Sequence, residues 1–392
     1  MTTLLKAHNQ WKNRPADERF WDLNEMLQTA KVMKAQGVEK DGVTADLRVE
    51  AGETDLMLVG RAGVQAKVSN HAFGQLSARV GAPASYLREL PATLAAQNLN
   101  HGLKSLAEEN AEKGVDTKLL FNVNGDIVLR ALTTQRYSRY WNSDLLEKVI
   151  AGLPNTWKTP RAWPARLPGE RVRVATAEDV MSGSIIQEGD EIAPAGCYLN
   201  DKNMFLFMID TESEVRDGTA EPMHRGLILW NSEVGDRSLG LNTFLFKQAC
   251  GNHRIIGATD IMEFSHRHIG DINTKITDSF SMTVRKLHDS SVSDLEAQIE
   301  RERTMVLGKT KEEVVDAVLA FARKKKITAL GKKFLEASYD KAVQHEAWYG
   351  NPNSLYGMSN GITEMVQVVT SNVDDRHDLD VAASKLMDMA IF

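Results

Sequence analysis

Residues 118–138 read KLLFNVNGDIVLRALTTQRYS. Two runs rich in β-branched and large apolar residues flank Asn124-Gly125-Asp126. Asn-Gly accepts the positive φ angles of a tight hairpin turn, so the stretch predicts two antiparallel strands. Upstream, LRVEAGETDLMLVGRAGVQAKVSN (residues 47–70) alternates apolar and polar residues with glycines between the runs, as a hairpin or meander does. Between these β signals, NHAFGQLSARVG places Phe73, Leu76 and Val80 on one helical face. A second helical stretch follows from residue 82, with Pro83 in its first turn and Pro91 breaking or restarting it. Further upstream, DERFWDLNEMLQTAKVMKAQG (residues 17–37) reads as a short amphipathic helix closed by Gly37.

Downstream, NSDLLEKVIAGLP predicts a helix capped by Asn142 or Ser143 and ended at Gly152-Leu153-Pro154. Pro160, Pro164 and Pro168 then mark a connector. Short β runs recur up to about residue 277, and from 278 the pattern turns helical. The expected class is α+β: a mixed antiparallel sheet with flanking helices and a mainly helical C-terminal part. The expected division is an N-terminal helical and strand extension over 1–60, an α+β core over 61–277 with a sub-boundary at 155–170, and a helical part over 278–392.

The chain has 392 residues, 42% of them hydrophobic, which is ample for a real core. No run approaches eighteen apolar residues, so no membrane partner is expected. The start turns polar after five residues and resembles neither a secretory signal nor a transit peptide. Two cysteines cannot build a disulfide framework, and a reducing cytoplasm is the expected compartment. The net charge of −6 counts against a dedicated duplex-DNA binder, which is usually basic. Nucleic-acid contact would have to come from a local patch.

Two such patches stand out. In RALTTQRYSRYWN, Arg130, Arg136 and Arg139 lie among Tyr137, Tyr140 and Trp141. WKTPRAWPARLPGERVRV repeats the mixture with Lys158, Arg161, Arg166, Arg171 and Arg173 beside Trp157 and Trp163. Aromatic rings stack on unpaired bases while cations hold phosphates, the combination that single-strand binders use. The other patch, RKKKITALGKK (residues 323–333), follows an apolar helix face. Cations at a helix C-terminus favour its dipole, so a structural role suffices for it, with phosphate contact as the alternative.

The stretch NSEVGDRSLGLNTFLFKQACGNHR (residues 231–254) raises other chemistries. Cys250, His253, His266 and His268 would offer sulfur and imidazole to zinc, but their spacing matches no standard finger. A thiol nucleophile at Cys250 would need His253 as base and an oxyanion hole, of which the sequence carries no signature. Gly235 and Gly240 are not followed by the Lys and Ser/Thr of a phosphate loop and are expected to supply turns. DDRHDLD (residues 374–380) lacks the glycine and terminal glutamate of a calcium loop and reads as a solvated helix start.

Four stretches together resemble a phage- and plasmid-encoded family, the domain of unknown function numbered 932. They are AFGQLSARVGAPASYLRELP (72–91), LRALTTQRYSRYWNSDLLE (129–147), ILWNSEVGDRSLGLNTFLFKQACGNHRIIGA (228–258) and SLYGMSNGITEMVQVV (354–369). The resemblance implies a mobile-element protein working in a bacterial cytoplasm, and it brings no catalytic mechanism. It also implies that Cys250-Gly251-Asn252 is a structural turn, not part of a metal set. No cofactor or metal is expected.

The leading expectation is a nucleic-acid binding protein, handling single-stranded DNA in replication or recombination as a homo-oligomer. Its contact residues would be Arg130, Arg136, Tyr137, Arg139, Lys158, Arg161, Arg166, Arg171 and Arg173. An enzyme is the alternative, with a polar site at Asn231, Ser232, Glu233, Cys250, Asn252 and His253 in which Glu233 and His253 converge on one pocket. A host-interaction protein with a large apolar surface patch is a third expectation.

Overall fold

The computed structural model of the chain describes residues 19–369, together with 386 and 389; within the span it leaves out 21, 53–54, 61–64, 110–114, 160–164, 168–169, 172–173, 176–190, 193–196, 219–221, 248–251, 256–263, 290 and 328–329. The fold is α+β. Strand β1 (Arg19–Phe20) and helix α1 (Leu23–Gln36) come first. Asp22 caps α1 through Asn24 N–H at 2.6 Å. The predicted helix over 17–37 therefore loses its first residues to a strand. Gly37 ends α1 with extended backbone, and a side chain there would strike the Trp141 ring.

A six-stranded sheet follows. It contains β2 (Gly37–Gly42), β3 (Arg48–Ala51), β4 (Leu56–Val59), β5 (Gln65–Val68), β6 (Thr117–Asn124) and β7 (Asp126–Thr134), in the order β2-β6-β7-β5-β4-β3. The 118–138 hairpin forms as read, with Gly125 at φ +77° between paired Asn124 and Asp126. β5 and β7 are parallel, because helices α2 (Asn70–Arg79), α3 (Ala84–Leu87) and α4 (Ala92–Glu109) carry the chain across one face between them. Phe73, Leu76, Leu99 and Leu103 pack there against Leu58, Leu129 and Leu132. The expected boundary at residue 60 falls inside this sheet, since β3 and β4 pair continuously with β5.

Helix α5 (Asn142–Gly152) leads to an eight-stranded sheet. Its strands are β1, β8 (Trp157–Lys158), β13 (Cys197–Leu199), β14 (Asn203–Val215), β15 (Met223–Ser232), β16 (Leu239–Lys247), β17 (Asn252–Ile255) and β18 (Phe264–His266). Two small pairs lie between β8 and β13. One joins β9 (Ala165–Leu167) to β10 (Glu170–Arg171), the other β11 (Val174–Ala175) to β12 (Glu191–Ile192). The long strands β14, β15 and β16 form an antiparallel core. Met204, Leu206 and Met208 alternate on the face that packs against Leu145 and Val149 of α5 and Met26 of α1. The thiol of Cys197 lies in the same core, and burial pushes its pKa up to about 12, so it stays protonated.

The helical part starts slightly earlier than expected. It contains α6 (Ile272–Asp289), α7 (Val292–Thr304), α8 (Lys311–Lys324), α9 (Lys332–Gln344), α10 (Glu346–Tyr349) and α11 (Leu355–Val369). Helix α6 packs into the core of the large sheet through Ile272, Ile276 and Phe280. Helices α7 and α11 cover its far end, where Leu295, Ile299 and Tyr356 meet Met223 and Leu245. Among the described residues no helix is long and apolar enough to cross a membrane.

Candidate functional site

Glu233, one residue past β15, sits at the junction of the two sheets. It is fully buried, yet no local residue neutralises it. Oε1 accepts the backbone N–H of Asn142 at 2.9 Å, so Glu233 caps the N-terminus of α5 from another strand. Oε2 faces the guanidinium of Arg130, on β7, at 3.3 Å. Arg130 also donates to the Asp201 carbonyl at 2.5 Å. The sequence places Asn142 and Ser143 as capping candidates. Trp141 holds the cap position and makes no side-chain cap bond, so the carboxylate arrives in trans.

Neighbouring side chains complete this junction. Arg139 donates to the Glu233 carbonyl and pairs with Glu39 at 2.6 Å. Tyr137 Oη donates to the Ser232 carbonyl at 2.8 Å, and burial raises its pKa. Asn231 Nδ2 donates to the Tyr140 carbonyl and to Asn142 Oδ1, at 2.8 and 2.7 Å. Ser232 Oγ donates to the Lys202 carbonyl at 2.9 Å. Gln75 ties α2 to both partners: its amide donates to the Val234 carbonyl and accepts from Leu132 N–H, each at 2.7 Å. Gly235 turns the chain at φ +78°. Gly240 is no turn: it lies in β16 opposite Trp230, whose indole fills the space a side chain would need.

The first basic-aromatic region is therefore not the groove expected of it. Arg130, Tyr137 and Arg139 are engaged inside the molecule: the attraction of Glu233 and Glu39 and the hydrogen bonds to backbone carbonyls offset the cost of desolvating the two guanidinium groups, and Tyr137 is bonded to the Ser232 carbonyl. Arg136 and Lys158 are exposed, on separate elements. Arg161 and Arg173 lie outside the described residues, and Arg166 and Arg171 are described only as backbone of β9 and β10.

Strand register also corrects the enzymatic expectation. His253 pairs with Phe246, and Phe246 pairs with His224 on β15. His224 is seven residues from Asn231, roughly 23 Å at ~3.3 Å per residue. His253 and Glu233 thus stand at opposite ends of the sheet. The same register separates His253 from His266, which pairs with Leu239 at the other end of β16. Cys250 and DDRHDLD lie outside the described residues, and Asn252 is described only as backbone of β17. Among the described residues no three His, Cys, Asp or Glu side chains form a metal set.

His266 and His268 serve different partners. His266 Nε2 meets Ser279 Oγ at 2.8 Å. His268 is buried, donates from Nδ1 to the Ser138 carbonyl at 3.2 Å and stacks on Tyr137. Burial lowers its pKa from 6.5 to about 4. The unfolded chain takes up this proton more readily than the folded one. The contribution is whole above pH 6.5 and is lost as pH falls through 6.5 toward 4. A depression of that size corresponds to on the order of 3 kcal/mol. Urea unfolding at pH 7 and pH 4 is expected to show a larger acid loss in the wild type than in His268→Gln, by about that amount. Equal losses would refute it.

The second basic patch takes a different form from its sequence reading. Helix α8 is capped by Thr310, whose Oγ accepts Glu313 N–H at 3.3 Å, and Glu313 reaches back to Lys309 N–H at 2.6 Å. It ends in a Schellman turn: Ile327 N–H bonds to the Ala322 carbonyl at 2.8 Å and Lys326 N–H to that of Arg323 at 3.1 Å. Lys326 takes the left-handed position at φ +58°, where glycine is usual. Arg323 and Lys324 suit the helix end, as expected. Lys332 and Lys333 do not, because they open α9, whose first turn has no acidic residue and whose cap position is Gly331. There the helix dipole repels cations. Arg323, Lys324, Lys325, Lys326, Lys332 and Lys333 are all exposed. Lys332 has Asp316 at 3.7 Å. Six of the eleven residues 323–333 are thus exposed cations in an acidic chain.

No protein-family model, curated protein or solved structure matches the chain.

Proposed function

We propose that the protein binds nucleic acid through phosphate contacts at the α8–α9 elbow. The observation that supports this most is the pair Lys332 and Lys333 at the positive end of a helix, with four further exposed cations at the end of the preceding helix. Helix stability disfavours lysine there, whereas a polyanion gains from both the side chains and the free N–H groups. A protein of net charge −6 can hold phosphates only where cations are concentrated in this way. The contact is to the backbone: Tyr137 and Tyr140 face inward and offer no stacking platform. In this reading the protein is a mobile-element product of a bacterial cytoplasm, and copies assembled along one strand add their contacts.

The test is fluorescence anisotropy with a labelled oligonucleotide, single-stranded and as duplex. Charge reversal in the triple variant K324E/K325E/K332E is expected to weaken binding by about 100-fold at low salt. Lys104→Glu, an exposed change on α4, is expected to leave it unchanged. Absence of binding to both forms at low salt, or equal binding by the triple variant, would overturn the proposal.

A further inference from the structure

The cations of the elbow are not equivalent. Arg323, Lys324, Lys326 and Lys333 have no ion-pair partner among the described residues, whereas Lys332 Nζ stands 3.7 Å from Asp316 Oδ1. Asp316 is the sixth residue of α8 and lies eight positions before its last, Lys324. At ~1.5 Å per residue, that is roughly 12 Å along the helix. The pair therefore draws the Lys332 ammonium back along α8, away from the cations that end it. Both side chains are half exposed, at 52% and 57%, and an exposed pair of this kind yields readily to water and to competing ions. The two helices do not depend on it. Lys311 and Asp340 also tie α8 to α9, at 2.6 Å, and Leu335 packs with Val314 and Val318.

We propose, on the reading that the elbow binds phosphates, that Asp316 makes an autoinhibitory contact: it withholds Lys332 from the elbow until a polyanion displaces it. A strand already held by the other cations brings its next phosphate to Lys332 at high local concentration, and that phosphate replaces the carboxylate. A small anion has no such hold, and the Asp316 charge opposes it. The contact lowers the elbow's affinity for every anion and yields to the polymer.

Anisotropy with a labelled single-stranded oligonucleotide tests this on four full-length proteins: the wild type, Asp316→Asn, Lys332→Ala and the double variant. Asparagine keeps the shape of aspartate and removes its charge. Asp316→Asn is expected to tighten binding about threefold at low salt, and the gain is expected to fade as salt screens the charges. In the Lys332→Ala background the gain is expected to vanish, because no ammonium is left to release. All four proteins are expected to melt alike. An equal gain in the Lys332→Ala background would mean that Asp316 acts only through its general field, and would overturn the proposal. Wild-type binding that K324E/K325E/K332E weakens and Asp316→Asn leaves unchanged overturns the autoinhibition alone. Absence of binding by both the wild type and Asp316→Asn overturns the elbow reading and the autoinhibition together.

Discussion

Arg130→Ala lowers the free energy of unfolding by about 3–5 kcal/mol, a large part of a typical domain's margin. The substitution removes the only side-chain cation facing Glu233 at ion-pair distance among the described contacts and leaves a fully buried carboxylate with the α5 N-terminus alone. It also strips the Asp201 carbonyl of its donor. Glu233→Gln keeps an acceptor for Asn142 N–H but turns its amide NH2 toward Arg130 and leaves that buried guanidinium without a counter-charge, so it is expected to cost a comparable amount. Replacing both partners by apolar residues restores part of the loss. It cannot restore all of it, since the helix cap goes with Glu233, worth about 1 kcal/mol. Urea unfolding followed by circular dichroism measures this order. A loss below about 1 kcal/mol for Arg130→Ala would mean that water reaches the pair and that the junction does not hold the sheets together.

Gly361→Val costs about 3 kcal/mol by a different route. Gly361 lies on α11 where it crosses α9. A Cβ there would sit 2.9 Å from that of Ala342 and would meet the Ser338 backbone carbonyl. A backbone atom cannot move aside as a side-chain tip can, so the helices must part. Parting them opens the cluster in which Leu335, Leu355, Met358 and Ile362 pack with Val314 and Val318. Gly361→Ala is expected to fall between wild type and valine. Thermal unfolding decides it, and an unchanged melting temperature for the valine variant would show that the two helices do not need their close approach.

Local signals carried the elements well and the long-range geometry poorly. Asn124-Gly125 announced its hairpin because turn chemistry is local. Pro91 likewise marked the start of the helix that begins at the next residue. The parallel pairing of β5 with β7 depends on three intervening helices and leaves no mark on either strand. Arg130 and Arg139 read as solvent-facing cations because the carboxylates that draw them inward, Glu233 and Glu39, are about a hundred positions away in the chain. Glu233 did carry a signal: it is the last of three polar residues directly after the apolar run LILW, and a carboxylate there must be exposed or specifically answered. RKKKITALGKK read as the end of one helix, and its second half proved to be the start of another. The difference matters because the dipole accounts for the first lysines and opposes the last two.

The salt dependence of binding tests the elbow most directly. Six phosphate contacts on a single strand predict that log K falls against log salt with a slope of about −4, and the alanine pair K324A/K325A is expected to flatten that slope by about 1. A slope near zero, or one that the alanine pair leaves unchanged, would contradict phosphate binding at the α8–α9 elbow.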